Sequence, residues 1–569
     1  SNANFEIKGS LTLTAPNGSE IWKVGESRNI TWTKTGSIAN VKLEYSTNGG
    51  TTYPNLIAAL VNATTGTPYA WTIPDAPTTQ ARVRITNTAD ATVLDESNGN
   101  FNIRGSVTLT APNGGEVWVV GASQNITWTR TGSFANVELR YSTDGGTTYP
   151  TIITASTSAG ALSYAWTVPD ALSTTLRVKA TDTGDSAVTD ASNANFKIKG
   201  SIALTAPNGA EVWIVGASQN ITWTKTGSFA NVKLEYSTNG FLNELQTFLI
   251  SASAPAAPLS FAWTIPDAIG TTLKVRASDA ADAAAVTDTS NANFEIKGSL
   301  TVTSPNGGEL WRVGESRNIT WTRTGSIATV KLEYSTNGGT TYPNVIIAST
   351  DATTGTYAWT VPDAIGTLLR VRVTSTADAT VADASNANFE VKGSLTLTAP
   401  NGGEVWVVNG SQNLTWTRTG SFATVKLEYS TNAFANELQT TVITASTAAD
   451  PLPTDNAGIY AWTVADAIGT SLRVRITDTA DAATVDTSDA NFKIVGSFTL
   501  TAPNGGESWT VGSSQNVTWT KVGSIANAKL EYSTDGGTTY PNVITASTAA
   551  GTGAYAWTIP DAIGTNRRV

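Results

Sequence analysis

Cysteine, histidine and methionine are absent from the 569 residues. Without cysteine there are no disulfides, thiolate nucleophiles, structural zinc sites or iron–sulfur clusters. Without histidine there is no Ser-His-Asp triad, no imidazole general base and no His-ligated metal. Charge is also scarce, at 14% of residues against about a quarter in a typical soluble protein. The 35 basic and 45 acidic side chains leave a net charge of −10. No basic stripe is present, which argues against a nucleic-acid partner. No run of 18 apolar residues occurs, so no membrane-spanning helix is expected. Apolar residues still make up 40%, enough for packed cores, so wholesale disorder is excluded.

What is present is repetition. Pro-Asn-Gly followed by Trp recurs at Pro16, Pro112, Pro207, Pro305, Pro400 and Pro503, at spacings of 96, 95, 98, 95 and 103 residues. The 18 tryptophans divide three to a copy, as Trp22, Trp32 and Trp71 in the first and Trp509, Trp519 and Trp557 in the last. A period of roughly 97 residues is domain-sized rather than solenoid-sized, so each copy should own a core. The repeats are placed at 10–104, 105–199, 200–297, 298–392, 393–495 and 496–569, after a segment, 1–9, that matches the last strand of a repeat.

Within the first copy, apolar and polar residues alternate through Asn29-Ile30-Thr31-Trp32-Thr33, Val41-Lys42-Leu43-Glu44-Tyr45, Tyr69-Ala70-Trp71-Thr72-Ile73 and Ala81-Arg82-Val83-Arg84-Ile85. A period of two marks half-buried strands. Turn signals separate them at Pro16-Asn17-Gly18, Asn48-Gly49-Gly50 and Pro74-Asp75. About seven short strands with buried tryptophan predict an all-β chain of six tandem immunoglobulin-like antiparallel β-sandwiches. Lys42, Glu44, Arg82 and Arg84 face outward in this reading and form surface charge pairs worth a few tenths of a kcal/mol.

The run Leu11-Thr-Leu-Thr-Ala-Pro16-Asn-Gly-Ser-Glu20-Ile-Trp22-Lys-Val-Gly25, then Asn29-Ile-Thr-Trp32-Thr and Tyr69-Ala-Trp71-Thr-Ile-Pro74, resembles the Kre9/KNH-like immunoglobulin-like repeat family. The resemblance covers all six copies. It implies the immunoglobulin-like fold and an extracellular setting, with repeats that act as spacers and attachment modules. Two positions depart from the pattern: Ala465 stands where the others have proline, and Arg567 stands where Leu369 is apolar. The stretch 141–149, Tyr-Ser-Thr-Asp-Gly-Gly-Thr-Thr-Tyr, also resembles the Asp-box hairpin of sialidase propellers. Propeller blades run about 40–50 residues, so it is read as a hairpin turn.

The last strand of each copy runs into the first of the next with only Gly-Ser between them, as at Gly9-Ser10, Gly200-Ser201 and Gly298-Ser299. No flexible linker intervenes, so an extended rod is expected. The chain opens in a last-strand match, Asn4-Phe5-Glu6-Ile7-Lys8-Gly9, and Val569 matches Val371, so the sixth copy should lack its last strands. Ser1-Asn2-Ala3 is either an expression remnant or repeat sequence, as in Ser290-Asn291-Ala292. The first reading is a segment of a longer repeat protein. The second is donor-strand pairing of the opening strand with a neighbouring copy's open repeat.

Three sets of candidate site residues stand out. An Asn-x-Thr sequon falls on an outward position in every copy, at Asn29, Asn125, Asn220, Asn318, Asn413 and Asn516; it is an N-glycan acceptor motif, the alternative being that Asn and Thr simply suit an exposed strand. Acidic clusters recur at Asp182, Asp185 and Asp190, at Asp279, Asp282 and Asp288, and at Asp478, Asp481 and Asp486. Such oxygen donors suit calcium, the one candidate ion; solvated turns are the alternative. In copies three and five the Gly-Gly-Thr-Thr-Tyr-Pro turn is replaced, placing Phe241, Leu242 and Phe434 on loop tips, either as exposed apolar contacts between rods or on a loop that folds back on its own domain. The tryptophans lie on apolar faces and read as core rather than sugar platforms.

No catalytic residue or cofactor site emerges. The expectation is a non-enzymatic, extracellular, cell-surface structural protein: part of a filament, stalk or adhesin whose partners are copies of itself or cell-wall polysaccharide. The alternatives are a multivalent carbohydrate-binding array and the spacer of a large secreted hydrolase. The lack of Cys and Met leaves little to oxidise outside the cell.

Overall fold

The computed structural model describes residues 3–64, 67–451 and 456–569. Ser1 and Asn2, the start of the Ser1-Asn2-Ala3 string, lie outside the described residues. The chain falls into two compact units, Ser1–Ile296 and Lys297–Val569. The first holds repeats one to three and the second holds repeats four to six. Among the described residues there is no α-helix, and no helix is long and apolar enough to cross a membrane.

Repeat one shows the plan. Its strands are β1 (Ser10–Ala15), β2 (Ile21–Lys23), β3 (Ser27–Thr35), β4 (Asn40–Ser46), β5 (Asn55–Asn62), β6 (Tyr69–Thr72), β7 (Thr78–Asn87), β8 (Leu94–Glu96) and β9 (Phe101–Arg104). They form a small sheet, β1-β3-β6, and a large sheet, β2-β9-β7-β4-β5, with β8 on β7. The sequence reading missed β2 and β8, which at three residues are too short to show a period. One pair departs from the antiparallel arrangement of the sandwich. β2 pairs with β9 in parallel, Ile21 opposite Asn102 and Lys23 opposite Arg104. The same topology recurs in repeats two to five.

Alternation decides the layers. Leu11, Leu13, Ile30 and Trp32 point inward from the small sheet, and Val41, Leu43, Val83, Ile85, Phe101 and Ile103 from the large one. Aromatic rings fill the middle. Trp22 meets Trp71 edge-on with ring centres 6.0 Å apart, and leans on Phe101 at 5.1 Å. Burial of such rings dominates the stabilisation, with about 0.5–1.5 kcal/mol per ring pair beyond the area term. The tryptophans of repeats one to five are thus core residues.

Polar pins join the sheets. β1 is an edge strand of the small sheet, with a bulge between Leu13 and Ala15, and its Leu13 N–H finds a partner in the other sheet. Asp95, on β8, accepts it at 2.7 Å. The buried Ser97 hydroxyl donates to the Pro16 carbonyl at 2.7 Å. Both satisfy groups that would otherwise be costly to bury.

Repeat six differs. Its small sheet is complete, but its large sheet is two-stranded among the described residues, with one further bridge between Ser533 and Arg568. Trp509 and Trp557 are therefore only half-buried. Residues 4–9, matched above to a last strand, lie in no strand, and Phe5 and Ile7 are exposed.

Candidate functional site

The feature built most consistently is the joint between successive repeats. At the first joint, Gly105 alone separates β9 from the next strand, Ser106–Ala111. A Cβ on Gly105 would lie 2.6 Å from the Thr131 carbonyl oxygen and 2.8 Å from the Phe134 ring. The glycine is thus demanded by close approach of the following repeat's own backbone. Gly393, at the joint between repeats four and five, is held the same way by the Thr419 carbonyl at 2.6 Å.

Three contacts then cross the joint. In the first, a carboxylate of the earlier repeat caps a turn of the next. Asp75 accepts the Ser133 backbone N–H at 2.6 Å and the Ser133 hydroxyl. Asp170 does so with Ser228 (3.0 Å to the N–H), Asp363 with Ser421 (3.0 Å) and Asp466 with Ser524 (2.8 Å). The Ser524 hydroxyl, then its amide, hold the Asp466 carboxyl below the usual carboxylate range. In the second, the glycine beside that serine sits on apolar side chains of the earlier repeat. A Cβ on Gly132 would come within 3.4 Å of Val24 and 3.5 Å of Pro77, and one on Gly420 within 2.8 Å of Ile365.

The third contact is ionic. Arg104, ending repeat one, pairs with Asp185 of repeat two at 2.7 Å. Lys197 pairs with Asp282, and Lys392 with Asp481 at 3.0 Å. Lys8 pairs with Asp90 at 3.0 Å. The Thr92 hydroxyl and amide, with Lys8, bring the Asp90 carboxyl down to about 2.

This places the acidic clusters. Of Asp182, Asp185 and Asp190, the first caps its own turn at the Gly184 N–H (3.0 Å), the second takes Arg104, and the third pins the Leu109 N–H (2.8 Å). Asp478, Asp481 and Asp486 divide the same tasks among the Ala480 N–H, Lys392 and the Leu397 N–H. Among the described residues, no three acidic side chains converge as a metal site would require.

In the loops of repeats three and five the phenylalanines fold back on their own domain, while the leucines stay exposed. Phe241 is half-buried, its ring 4.5 Å from the Arg276 guanidinium, and Phe434 lies equally close to Arg475. They replace Tyr53 and Tyr342, whose rings cover Arg84 at 4.3 Å and Arg372 at 4.4 Å. Glu244 adds a two-pronged pair with Arg276 at 3.0 and 3.1 Å. Leu242 is 87% exposed, as are Leu245 (93%) and Leu438 (97%), which the sequence reading passed over.

Under those rings lies a buried carboxylate rather than a surface pair. Glu333 is 4% exposed and is held by Arg372 at 2.7 Å and by Lys331. Burial pushes its pKa up, but the two cations more than offset this and leave it lowered.

The sequon residues Asn29, Asn125, Asn220, Asn318, Asn413 and Asn516 are all exposed, on the central strand of the small sheet. The hairpin around Asp144 joins strands Asn136–Ser142 and Thr151–Ser158, and the carboxylate accepts the Thr148 N–H at 3.0 Å.

No family model matches the chain, and no curated protein does. Among solved structures it is similar to the N-terminal eight Ig domains of the Down syndrome cell adhesion molecule, at 9% identity over 92% of this chain and 78% of that one, with a TM-score of 0.21. It is similar to Sidekick-1 immunoglobulin domains 1–5 at 10% identity over 86% and 99%, with a TM-score of 0.19. It is also similar to the fibronectin(III)-like modules of Clostridium thermocellum CbhA, at 23% identity over 34% and 94%, with a TM-score of 0.14. The fold itself is defined by its own strand order: tandem immunoglobulin-like sandwiches of two packed sheets.

Proposed function

We propose that the chain is a non-enzymatic extracellular structural protein, a stiff rod serving as part of a cell-surface filament, stalk or adhesin. The joint supports this reading. A single glycine, a carboxylate cap, an apolar seat and an ion pair restrict the joint between repeats one and two from several sides, and the same set recurs between repeats four and five. Short, multiply tethered connections restrict bending, whereas a Gly/Ser linker would not. Repetition then converts one rigid domain into length. The repeats are taken to be of the Kre9/KNH-like type, in keeping with spacers outside the cell. A carbohydrate-binding array would need exposed ring faces, and the indoles of repeats one to five are buried.

Electron microscopy of single particles of the full chain tests this. With about 33 Å per domain from a ten-residue strand, six repeats end to end should measure roughly 200 Å, with a narrow spread of bend angles. Compact particles, or a bend distribution as broad as a flexible linker gives, would refute it.

A further inference from the structure

Among the described residues, the outward face of the small sheet carries no charge in any repeat. In repeat one it consists of Ser10, Thr12 and Thr14 on β1, Ser27, Asn29, Thr31, Thr33 and Thr35 on β3, and Ala70 and Thr72 on β6. One residue on this face suits a strand poorly. Asparagine is depleted in strands, as is alanine, while threonine is favoured. Yet each sequon asparagine lies in the central strand, and the residue directly opposite it is alanine every time. Asn29 faces Ala70, Asn125 faces Ala165, Asn220 faces Ala262, Asn318 faces Ala358, Asn413 faces Ala461 and Asn516 faces Ala556. Opposed side chains on one face sit about 4.5–5.5 Å apart, so the alanine leaves open space beside each amide. Among the described residues, none of the six amides has a hydrogen-bond partner. Neither propensity nor local bonding accounts for an asparagine there.

We infer that these six asparagines are acceptors for N-linked oligosaccharide, and that the sugar is added before each repeat folds. The co-reactant is a lipid-linked sugar, an oligosaccharide on a polyprenyl phosphate or diphosphate. The amide nitrogen attacks the anomeric carbon and the N–C bond forms. The C–O bond to phosphate breaks, the lipid phosphate leaves with the electron pair, and one amide proton passes to solvent. No oxidation or reduction is involved.

The order follows from the ladder. In the folded repeat the backbone around Asn29 is paired to β6, and Thr31 is paired to β1. The sequon threonine is also engaged: Thr31 shares a hydrogen bond with Thr14 at 2.8 Å, and Thr222 with Thr205 at 2.6 Å. A transferase that must grip this backbone and read the threonine hydroxyl as well as the open amide finds all three free together only in the unfolded chain. Once folded, the sugar stands over the charge-free face. It hydrates a face on which like charge does not keep copies apart.

Two measurements test this. Glycopeptide mass spectrometry of the full chain, isolated from the cells that make it, should find hexose-containing mass increments on these asparagines. Asn220→Gln, at an exposed position, should fold normally and lose one increment. Unmodified asparagine at all six sites, or sugar confined to serine and threonine, overturns the assignment. In vitro, an oligosaccharyltransferase with its lipid-linked donor should modify the urea-unfolded chain at least tenfold faster than the folded chain. Equal rates would overturn the order of events.

Discussion

Replacing Gly105 by alanine puts the reading of the joint at risk. The added Cβ would stand 2.6 Å from the Thr131 oxygen and 2.8 and 2.9 Å from two carbons of the Phe134 ring. A relaxed C···O contact is about 3.3 Å or longer, so something must move by roughly 0.7 Å. Thr131 is fixed in the ladder opposite Ser106, and Phe134 is buried in the repeat-two core. Neither can yield as a flexible surface side chain would. Overpacking of this kind costs about 1–3 kcal/mol, and it falls on repeat two, next to the Asp75–Ser133 cap. Hydrogen exchange in the full chain reads the loss locally. Peptides from the 106–131 region should exchange about 5- to 150-fold faster, the equivalent of 1–3 kcal/mol. Gly551→Ala is the control, because nothing lies within 4 Å of its Cβ position; its peptides should be unchanged. If Gly105→Ala also leaves exchange unchanged, the joint is looser than the geometry says and the rod proposal loses its support.

Other perturbations should separate the remaining interactions. Arg372→Ala strips one of the two cations from buried Glu333 and should destabilise repeat four by about 1–3 kcal/mol, whereas Glu333→Gln should cost less; the two are compared by urea denaturation. Asp90 and Asp466 have folded pKa values below their unfolded ones, so their stabilisation is present above about pH 4 and is lost as pH falls toward the folded value, about 2 for Asp90. Denaturation at pH 6 and pH 2.5 should show the lower stability in acid, and the opposite order would contradict the assignment. Because Asp182, Asp185 and Asp190 serve separate partners, a chelator should leave the thermal melt unchanged, while a rise in Tm on adding calcium would show that the carboxylates converge after all.

The period-two pattern made the major strands legible, because burial on one face forces alternation whatever the neighbours are. Tryptophan position was legible for the same reason: Trp32 shares its parity with Ile30, and both are buried. The six sequons could be read as outward from parity alone. Three-residue strands such as β2 and β8 have no period to show, and the parallel pairing of β2 with β9 joins residues some 80 positions apart. The three aspartates of a cluster looked alike in one dimension. They parted only when the fold sent one to a turn, one to a neighbouring repeat and one to the edge strand of the small sheet. Phe241 looked exposed because an aromatic on a polar loop has no visible partner until β7's counterpart brings Arg276 beneath it. The sequence by itself determined the repeat, the sandwich and the inward face of each strand, since these follow from local periodicity. Only the tertiary structure decided which carboxylate meets which cation and why the joint needs glycine, since those depend on distances between residues far apart in the chain.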